Sequence, residues 1–197
     1  MRKVYLCSSP IGNLKDVSFR LIETLNKVDL VICENPNITI KLLNFYNIKK
    51  KMLKFHDIYF TKNNYKGYKS KGLKVLELLS NVDEVAYLSS AGTPNVEDPP
   101  VNFINYCYEN SIDIDVIPGP SALTSALSAS PFNHTPFIFL GFLPKKEKQL
   151  QKIFENIKFL FDKEIIQSVI FFESPHRINR SLEYLKSIFE DNYVFIA

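Results

Sequence analysis

The sequence predicts an α/β protein with mostly parallel sheets, and three observations carry that expectation. Short apolar runs rich in Val, Ile, Phe and Tyr recur along the chain, too short for helices and of strand composition. Longer amphipathic segments separate them, which is a βαβ rhythm. The short runs are apolar almost throughout rather than alternating, as strands of a parallel sheet covered on both faces must be.

Taken in order, Val4 to Cys7 is the first strand, and Asp16 to Lys27 follows as a helix with Phe19, Ile22 and Leu25 on one face. Asp29 to Cys33 is the second strand, followed by helices over Ile38 to Phe45 and Leu73 to Leu79. Strands at Glu84 to Ser89 and Ile112 to Ile117 come next, with Asp98 and Pro99 able to cap and start a helix between them. Ser121 to Leu127 is a helix of small residues, and Phe137 to Phe142 and Ser168 to Phe172 are strands. Ser174 as N-cap and Pro175 at the first helical position open a helix to Phe189, and Tyr193 to Ile196 is a last strand. Ser, Pro, Asn, His and Thr crowd together at Ser128 to Pro136, which places a boundary between a domain at 1–127 and a partial domain at 128–197. The second domain holds about three strands where a sheet ordinarily continues, so either an unusually small second domain or a truncated form of a longer chain is expected.

A chain of 197 residues has room for one large or two small domains. No segment approaches the roughly 18 to 20 uncharged apolar residues of a membrane helix, and the N-terminus lacks an apolar signal core, so an intracellular, cytoplasmic setting with no membrane partner is expected. Cys7, Cys33 and Cys107 are odd in number and far apart, which removes a disulfide framework and a zinc knuckle and leaves each as a small buried hydrophobe. The glycines are all isolated, so neither a Gly-x-Gly-x-x-Gly cradle nor a P-loop can be built. His56, His134 and His176 share no helical register, which speaks against a metal centre. The net charge is only +3, yet Lys49 to Lys74 holds nine Lys against Asp57, a local +8 that leaves −5 for the rest. Phe55, Tyr59, Phe60, Tyr65 and Tyr68 interleave those lysines, a combination able to contact phosphates and stack bases. The plain alternative is a solvated segment in a Lys-rich chain.

Open α/β sheets bind ligands at the carboxyl ends of their strands. Four turns stand at such ends: Ser8 to Leu14, Ser89 to Pro94, Pro118 to Ala122, and Phe171 to Arg177. Any one of them is explained by helix capping; four at the same sheet edge are not so easily dismissed.

Pro10-Ile11-Gly12-Asn13-Leu14, Ala91-Gly92-Thr93-Pro94, Pro118-Gly119-Pro120-Ser121-Ala122-Leu123, Gly141-Phe142-Leu143-Pro144 and Glu173-Ser174-Pro175-His176-Arg177 are collinear over nearly the whole chain. In this order and spacing they resemble the bacterial 16S rRNA cytidine 2′-O-ribose methyltransferases of the tetrapyrrole methylase superfamily. The resemblance implies two α/β domains, S-adenosylmethionine in the cleft between them, transfer of a methyl group to a ribose hydroxyl of small-subunit ribosomal RNA or the 30S subunit, and a homodimer. It implies cofactor contacts from Pro10, Ser90, Ala91, Gly92, Thr93, Val96, Ser121 and Ala122, with Phe172 closing from the second domain. Lys49, Lys50, Lys51, Lys54 and His56 become the RNA-binding candidates. The family's Ala-Glu-Asp-Thr-Arg is here Cys33-Glu34-Asn35-Pro36-Asn37, and its Ser-Asp-Ala-Gly-Thr-Pro is Ser89-Ser90-Ala91-Gly92-Thr93-Pro94, so polar site chemistry is thinner.

Glu173, His176 and Arg177 are the expected reaction centre. A ribose hydroxyl must lose its proton to become a good nucleophile, and a partly desolvated carboxylate or an imidazole can accept it. The competing reading of Glu173 and Arg177 is an i, i+4 ion pair at the helix start. Two other functions stand beside the leading one: a methylase of small tetrapyrroles, with no use for the +8 segment, and a non-catalytic RNA-binding or assembly protein.

Overall fold

The computed structural model describes residues 1–56, 75, 77–97, 100–132, 134–189 and 193–197. They form two units, Met1–Ala122 and Leu123–Ala197. The first contains β1 (Lys3–Cys7), α1 (Phe19–Lys27), β2 (Leu30–Cys33), α2 (Pro36–Phe45), β3 (Met52–Lys54), β4 (Glu84–Leu88), α3 (Val101–Glu109) and β5 (Asp113–Ile117). Its sheet runs β3-β2-β4-β1-β5 with every pair parallel. All strand carboxyl ends therefore share one edge.

Strand periodicity sorts the core onto the two faces of this sheet. Tyr5, Cys7, Val31, Ala86 and Leu88 point to one face and pack with Leu21, Leu25, Leu42 and Leu43 of α1 and α2. Val4, Leu6, Ile32, Val85 and Tyr87 point to the other, with Phe55, Leu79 and the α3 residues Phe103 and Cys107. Both faces are covered, which is why these strands lack polar positions. All three cysteines are buried free thiols, as expected.

Local chemistry sets the helix starts. The Ser18 hydroxyl accepts the Leu21 N–H at 3.1 Å, so α1 begins at Phe19 rather than at Asp16. The buried stripe then falls on Leu21, Thr24 and Leu25, while Phe19, expected on the core face, is 91% exposed. Asn35 caps α2 through the Asn37 N–H at 3.1 Å, and Pro36 occupies its first turn. The Asp29 carboxylate accepts the N–H groups of Glu84 and Asp83, each at 2.9 Å, and these donors hold its pKa below the ordinary value. Strand β3 was not expected, because three residues inside a lysine-rich stretch give no apolar run; its parallel register with β2 (Val31↔Met52, Cys33↔Lys54) defines it. Of the expected helix at Leu73 to Leu79, residues 75 and 77–79 are helical and the rest lie outside the described residues.

The second unit contains most of α4 (Ala122–Ala129), then β6 (Phe137–Phe142), α5 (Glu147–Asp162), β7 (Ser168–Phe172) and α6 (Ile178–Ile188). The composition break beginning at Ser128 starts inside α4, and the division falls in that helix's first turn. Strands β6 and β7 pair in parallel, and Leu143, Leu150 and Phe154 form the small core with Phe171, Tyr184, Leu185 and Phe189. Helix α5 was not anticipated, although Leu150, Phe154 and Ile157 recur on one face as its buried residues. Two expectations are corrected here. The last helix starts at Ile178, because Pro175 to Arg177 form a turn whose Arg177 and Ile178 N–H groups both donate to the Ser174 carbonyl, at 2.9 and 3.1 Å. Tyr193 to Ile196 is not a strand: the run is exposed and pairs with no strand among the described residues, and an apolar run becomes a strand only where a ladder receives it. No helix of the described residues is long and apolar enough to cross a membrane.

Candidate functional site

Three of the expected turns are tied together at the carboxyl edge of the first sheet. Ser9 and Gly92 form an antiparallel bridge, with the Ser9 N–H donating to the Gly92 carbonyl at 2.9 Å and the Gly92 N–H returning to Ser9 at 3.0 Å. The Ser9 hydroxyl donates to the Ser89 carbonyl at 2.6 Å, and the Ser89 hydroxyl to the Gly92 carbonyl. Thr93 reaches the third turn through the Pro120 carbonyl at 3.4 Å and meets Ser8 at 3.5 Å. Ser8, Ser9 and Ser89 are buried polar residues. The Ser9 and Ser89 hydroxyls thereby serve backbone carbonyls at the end of β4 and in the turn after it, and the Ser8 hydroxyl donates to that of Thr93. From sequence these serines are only small turn residues; their signal is three hydroxyls flanking strand ends that are otherwise apolar.

Two glycines make this lacing possible. Gly92 has φ +73°, a backbone region closed to bulky side chains. A Cβ at Gly119 would stand 2.9 Å from the Ser8 Cβ, so only glycine lets the third turn rest on the first. Asn95 and Glu97 also have positive φ, at 65° and 66°, which makes the segment after β4 a succession of sharp reversals.

The expected cofactor residues of the first unit gather on this edge. Gly92 is buried, Ser90, Thr93, Val96 and Ser121 are half-buried, and Ala91 and Ala122 are exposed. Small side chains thus border the strand ends. Pro10 and Ser90 line an open depression of about 260 Å³ together with Ile38, Thr39 and Leu42 of α2, residues that sequence reasoning did not assign to the site. Asp98 and Pro99, expected to cap the next helix, lie outside the described residues. Burial pushes the Cys7 thiol up to about 12 and raises Cys33, so neither offers a thiolate nucleophile near neutral pH.

In the second unit, Glu173, His176 and Arg177 do not form a common open site. The Glu173 side chain is 4% exposed and accepts from Arg177 Nη2 at 2.5 Å, from its neighbour's N–H (Ser174) at 2.7 Å and from the Ser181 hydroxyl at 2.7 Å. Arg177 also donates to the Leu143 carbonyl at 3.2 Å, tying the β7–α6 turn to the exit of β6. A carboxylate committed to three donors is poorly placed to take a proton from substrate. This geometry favours the ion-pair reading of Glu173 and Arg177. His176 is exposed on the turn, and Phe172 ends β7 edge-on to Phe139 and Phe142.

The basic candidates divide as well. Lys49, Lys51, Lys54 and His56 are exposed, around strand β3 at the edge of the sheet. Lys50 is engaged inward, its ammonium donating to the Val28 carbonyl at the C-cap of α1 at 2.6 Å. The remainder of the +8 segment, residues 57–74, lies outside the described residues.

Comparison with known proteins places this arrangement. The family model for Tetrapyrrole (Corrin/Porphyrin) Methylases matches residues 3–197. The chain is 40% identical over 197 residues to a protein of Thermotoga maritima named ribosomal RNA small subunit methyltransferase I, covering all of this chain and 82% of that one. A protein of the same name from Mesomycoplasma conjunctivae is 35% identical over 95% of this chain and 73% of its own length. Among solved structures, cobalt precorrin-4 methyltransferase superposes with a TM-score of 0.63 at 14% identity, over 95% of this chain and 75% of that one, a likeness of fold. With a parallel sheet whose carboxyl-end turns are laced for close approach, and a family match over nearly its whole length, the chain belongs to the tetrapyrrole (corrin/porphyrin) methylase family and is an S-adenosylmethionine-dependent methyltransferase.

Proposed function

We propose that the protein methylates a ribose 2′-hydroxyl of small-subunit ribosomal RNA, and that the laced turns of the first unit hold its methyl donor. The residues present fit S-adenosylmethionine. Ala91, Gly92, Thr93, Ser121 and Ala122 keep side-chain bulk away from the strand ends, and the Gly119–Ser8 contact leaves the turn backbones approachable. When bound, the donor supplies a sulfonium methyl for in-line displacement, so no covalent nucleophile is required of the protein. The chain's own task is to orient the partners and exclude water. The Ser9–Gly92 bridge and the serine hydroxyls supply that rigidity: they fix the turns before any ligand arrives. The homodimer and the cytoplasmic setting belong to the same proposal.

The observation that carries the RNA reading over the tetrapyrrole reading is the exposed lysine edge around β3, together with relatives named for ribosomal RNA. A small tetrapyrrole has no use for Lys49, Lys51 and Lys54 around the outer strand β3. The RNA titration expected from this edge is steeply salt-dependent, with log K falling by about 0.7 to 0.9 for each phosphate contacted. Neutralising Lys49, Lys51 and Lys54 to Gln lowers that slope in a folded protein. Lys50→Gln instead lowers stability and leaves the slope nearly unchanged, because Lys50 is turned to the Val28 carbonyl. An unaltered slope after the triple change, or a flat salt dependence throughout, contradicts the RNA reading.

A further inference from the structure

Among the described residues, the depression beside the donor turns is lined by no charged group. Leu14, Ile38, Leu42 and Leu88 form its apolar walls, and its hydroxyls are those of Ser9, Thr39, Ser89 and Ser90. Three of the hydroxyls are already committed. Ser9 donates to the Ser89 carbonyl, Ser89 to the Gly92 carbonyl, and the Thr39 hydroxyl is hydrogen-bonded to the Cys33 thiol. The Ser90 hydroxyl has no hydrogen-bond partner among the described residues, so it is the polar group left to meet a ligand. One wall is tethered from outside: the Tyr46 hydroxyl, at the C-cap of α2, donates to the Leu14 carbonyl at 2.8 Å. At about 260 Å³ the recess is smaller than the clefts of about 300 to 1,000 Å³ that bury a drug-sized ligand. It suits one flat, neutral ring system.

Helix α2 carries this side of the depression onward. At 3.6 residues per turn, Ile38, Lys41, Leu42 and Phe45 fall within one arc of about 100°. Ile38 and Leu42 line the recess, and Ile38, Lys41 and Phe45 are exposed. Lys41 stands one turn from Ile38 and has no ion-pair partner among the described residues. From Phe45 the chain reaches the exposed Lys49 in four residues, and then β3. A cation beside an uncharged recess complements a nucleotide, whose base is neutral and whose phosphate is an anion. S-adenosylmethionine is the poorer match, because its sulfonium and ammonium outweigh its one carboxylate. Of the positions expected to contact it, only Pro10 and Ser90 line the recess.

We infer that the depression holds the base of the acceptor nucleotide against Ile38 and Leu42, with the Ser90 hydroxyl at the base edge and Lys41 on an adjoining phosphate. The inference rests on the RNA reading of the first unit and adds the subsite: an unpaired nucleotide whose base has left its stack. Pro10 and Ser90 also border the donor turns, so a nucleotide held here keeps its sugar beside them.

The test is titration of the full chain with a short fluorescein-labelled single-stranded oligoribonucleotide and with an abasic backbone of equal length. Ile38→Gln, at an exposed helical position, removes an apolar wall without adding charge. It weakens binding of the base-bearing strand about fivefold and leaves the abasic strand at its wild-type affinity. Lys41→Gln weakens both strands and lowers the salt slope of each by about 0.7, the loss of one phosphate contact. Circular dichroism and S-adenosylmethionine affinity stay at wild-type values in both proteins. If the wild type binds RNA but Ile38→Gln still separates base from backbone as before, the base subsite is overturned while the lysine edge of β3 stands. An unchanged slope in Lys41→Gln overturns the phosphate contact. An Ile38→Gln protein that loses S-adenosylmethionine affinity with RNA binding preserved gives the depression to the cofactor. A wild type with no affinity for either strand overturns both readings.

Discussion

Gly92→Val lowers affinity for S-adenosylmethionine by more than tenfold, a loss above about 1.4 kcal/mol, in a chain that still folds. Space is not the obstacle: a Cβ there would stand 3.5 Å from Ile11 Cγ2 and 3.8 Å from the Pro120 oxygen, both ordinary contacts. The backbone is the obstacle, because a β-branched residue at φ +73° is strained by about 1 to 3 kcal/mol. The strain is relieved most easily by rotating the Gly92 peptide, and that residue carries both hydrogen bonds of the bridge to Ser9 as well as the acceptor for Ser89. Ala91 and Thr93 move with it, and the cradle for the donor opens. Calorimetric titration of the folded variant measures the effect. Wild-type affinity would remove the β4 turn from the donor site.

Glu173→Gln destabilises the second unit by about 2 kcal/mol in chemical denaturation. Removing one partner of a fully buried pair costs about 3 to 5 kcal/mol, and the expected figure is smaller because the Arg177 side chain is 26% exposed and partly screened. The glutamine amide cannot accept from Arg177, Ser174 and Ser181 together, so at least one donor near a 4%-exposed site loses its acceptor. Arg177 then loosens its hold on the Leu143 carbonyl, and the β6 exit loop loosens with it. A general base behaves oppositely: turnover collapses while the denaturation curve stays in place.

The sheet was legible in the sequence because its strands are buried on both faces; uninterrupted runs such as Val31-Ile32-Cys33 have no other comfortable home. What escaped lacks that signal. Strand β3 is a strand only through its partner β2. Tyr193 to Ile196 has strand composition and no ladder to join, so composition misleads there. Phe19 shows how the helix start decides its first turn: of the expected face Leu25 is buried and Ile22 packs against the core, while Phe19, directly after the Ser18 cap, is left outside it. At the site, the turns were visible as motifs, but the serine hydroxyls that lace them join residues about eighty positions apart. The Glu173–Arg177 spacing allowed both an ion pair and a catalytic base; only the added donors from Ser174 and Ser181 favour the first.

The central claim is that a methyl group passes from S-adenosylmethionine to a ribose oxygen of ribosomal RNA. The measurement is transfer of tritium from labelled S-adenosylmethionine to small ribosomal subunits and to their extracted RNA, followed by alkaline hydrolysis. A methyl on the 2′-oxygen blocks attack on the neighbouring phosphate, so the label is expected in an alkali-stable dinucleotide. Label released in mononucleotides would place the methyl on a base, and label entering a tetrapyrrole substrate but not RNA would contradict the account outright.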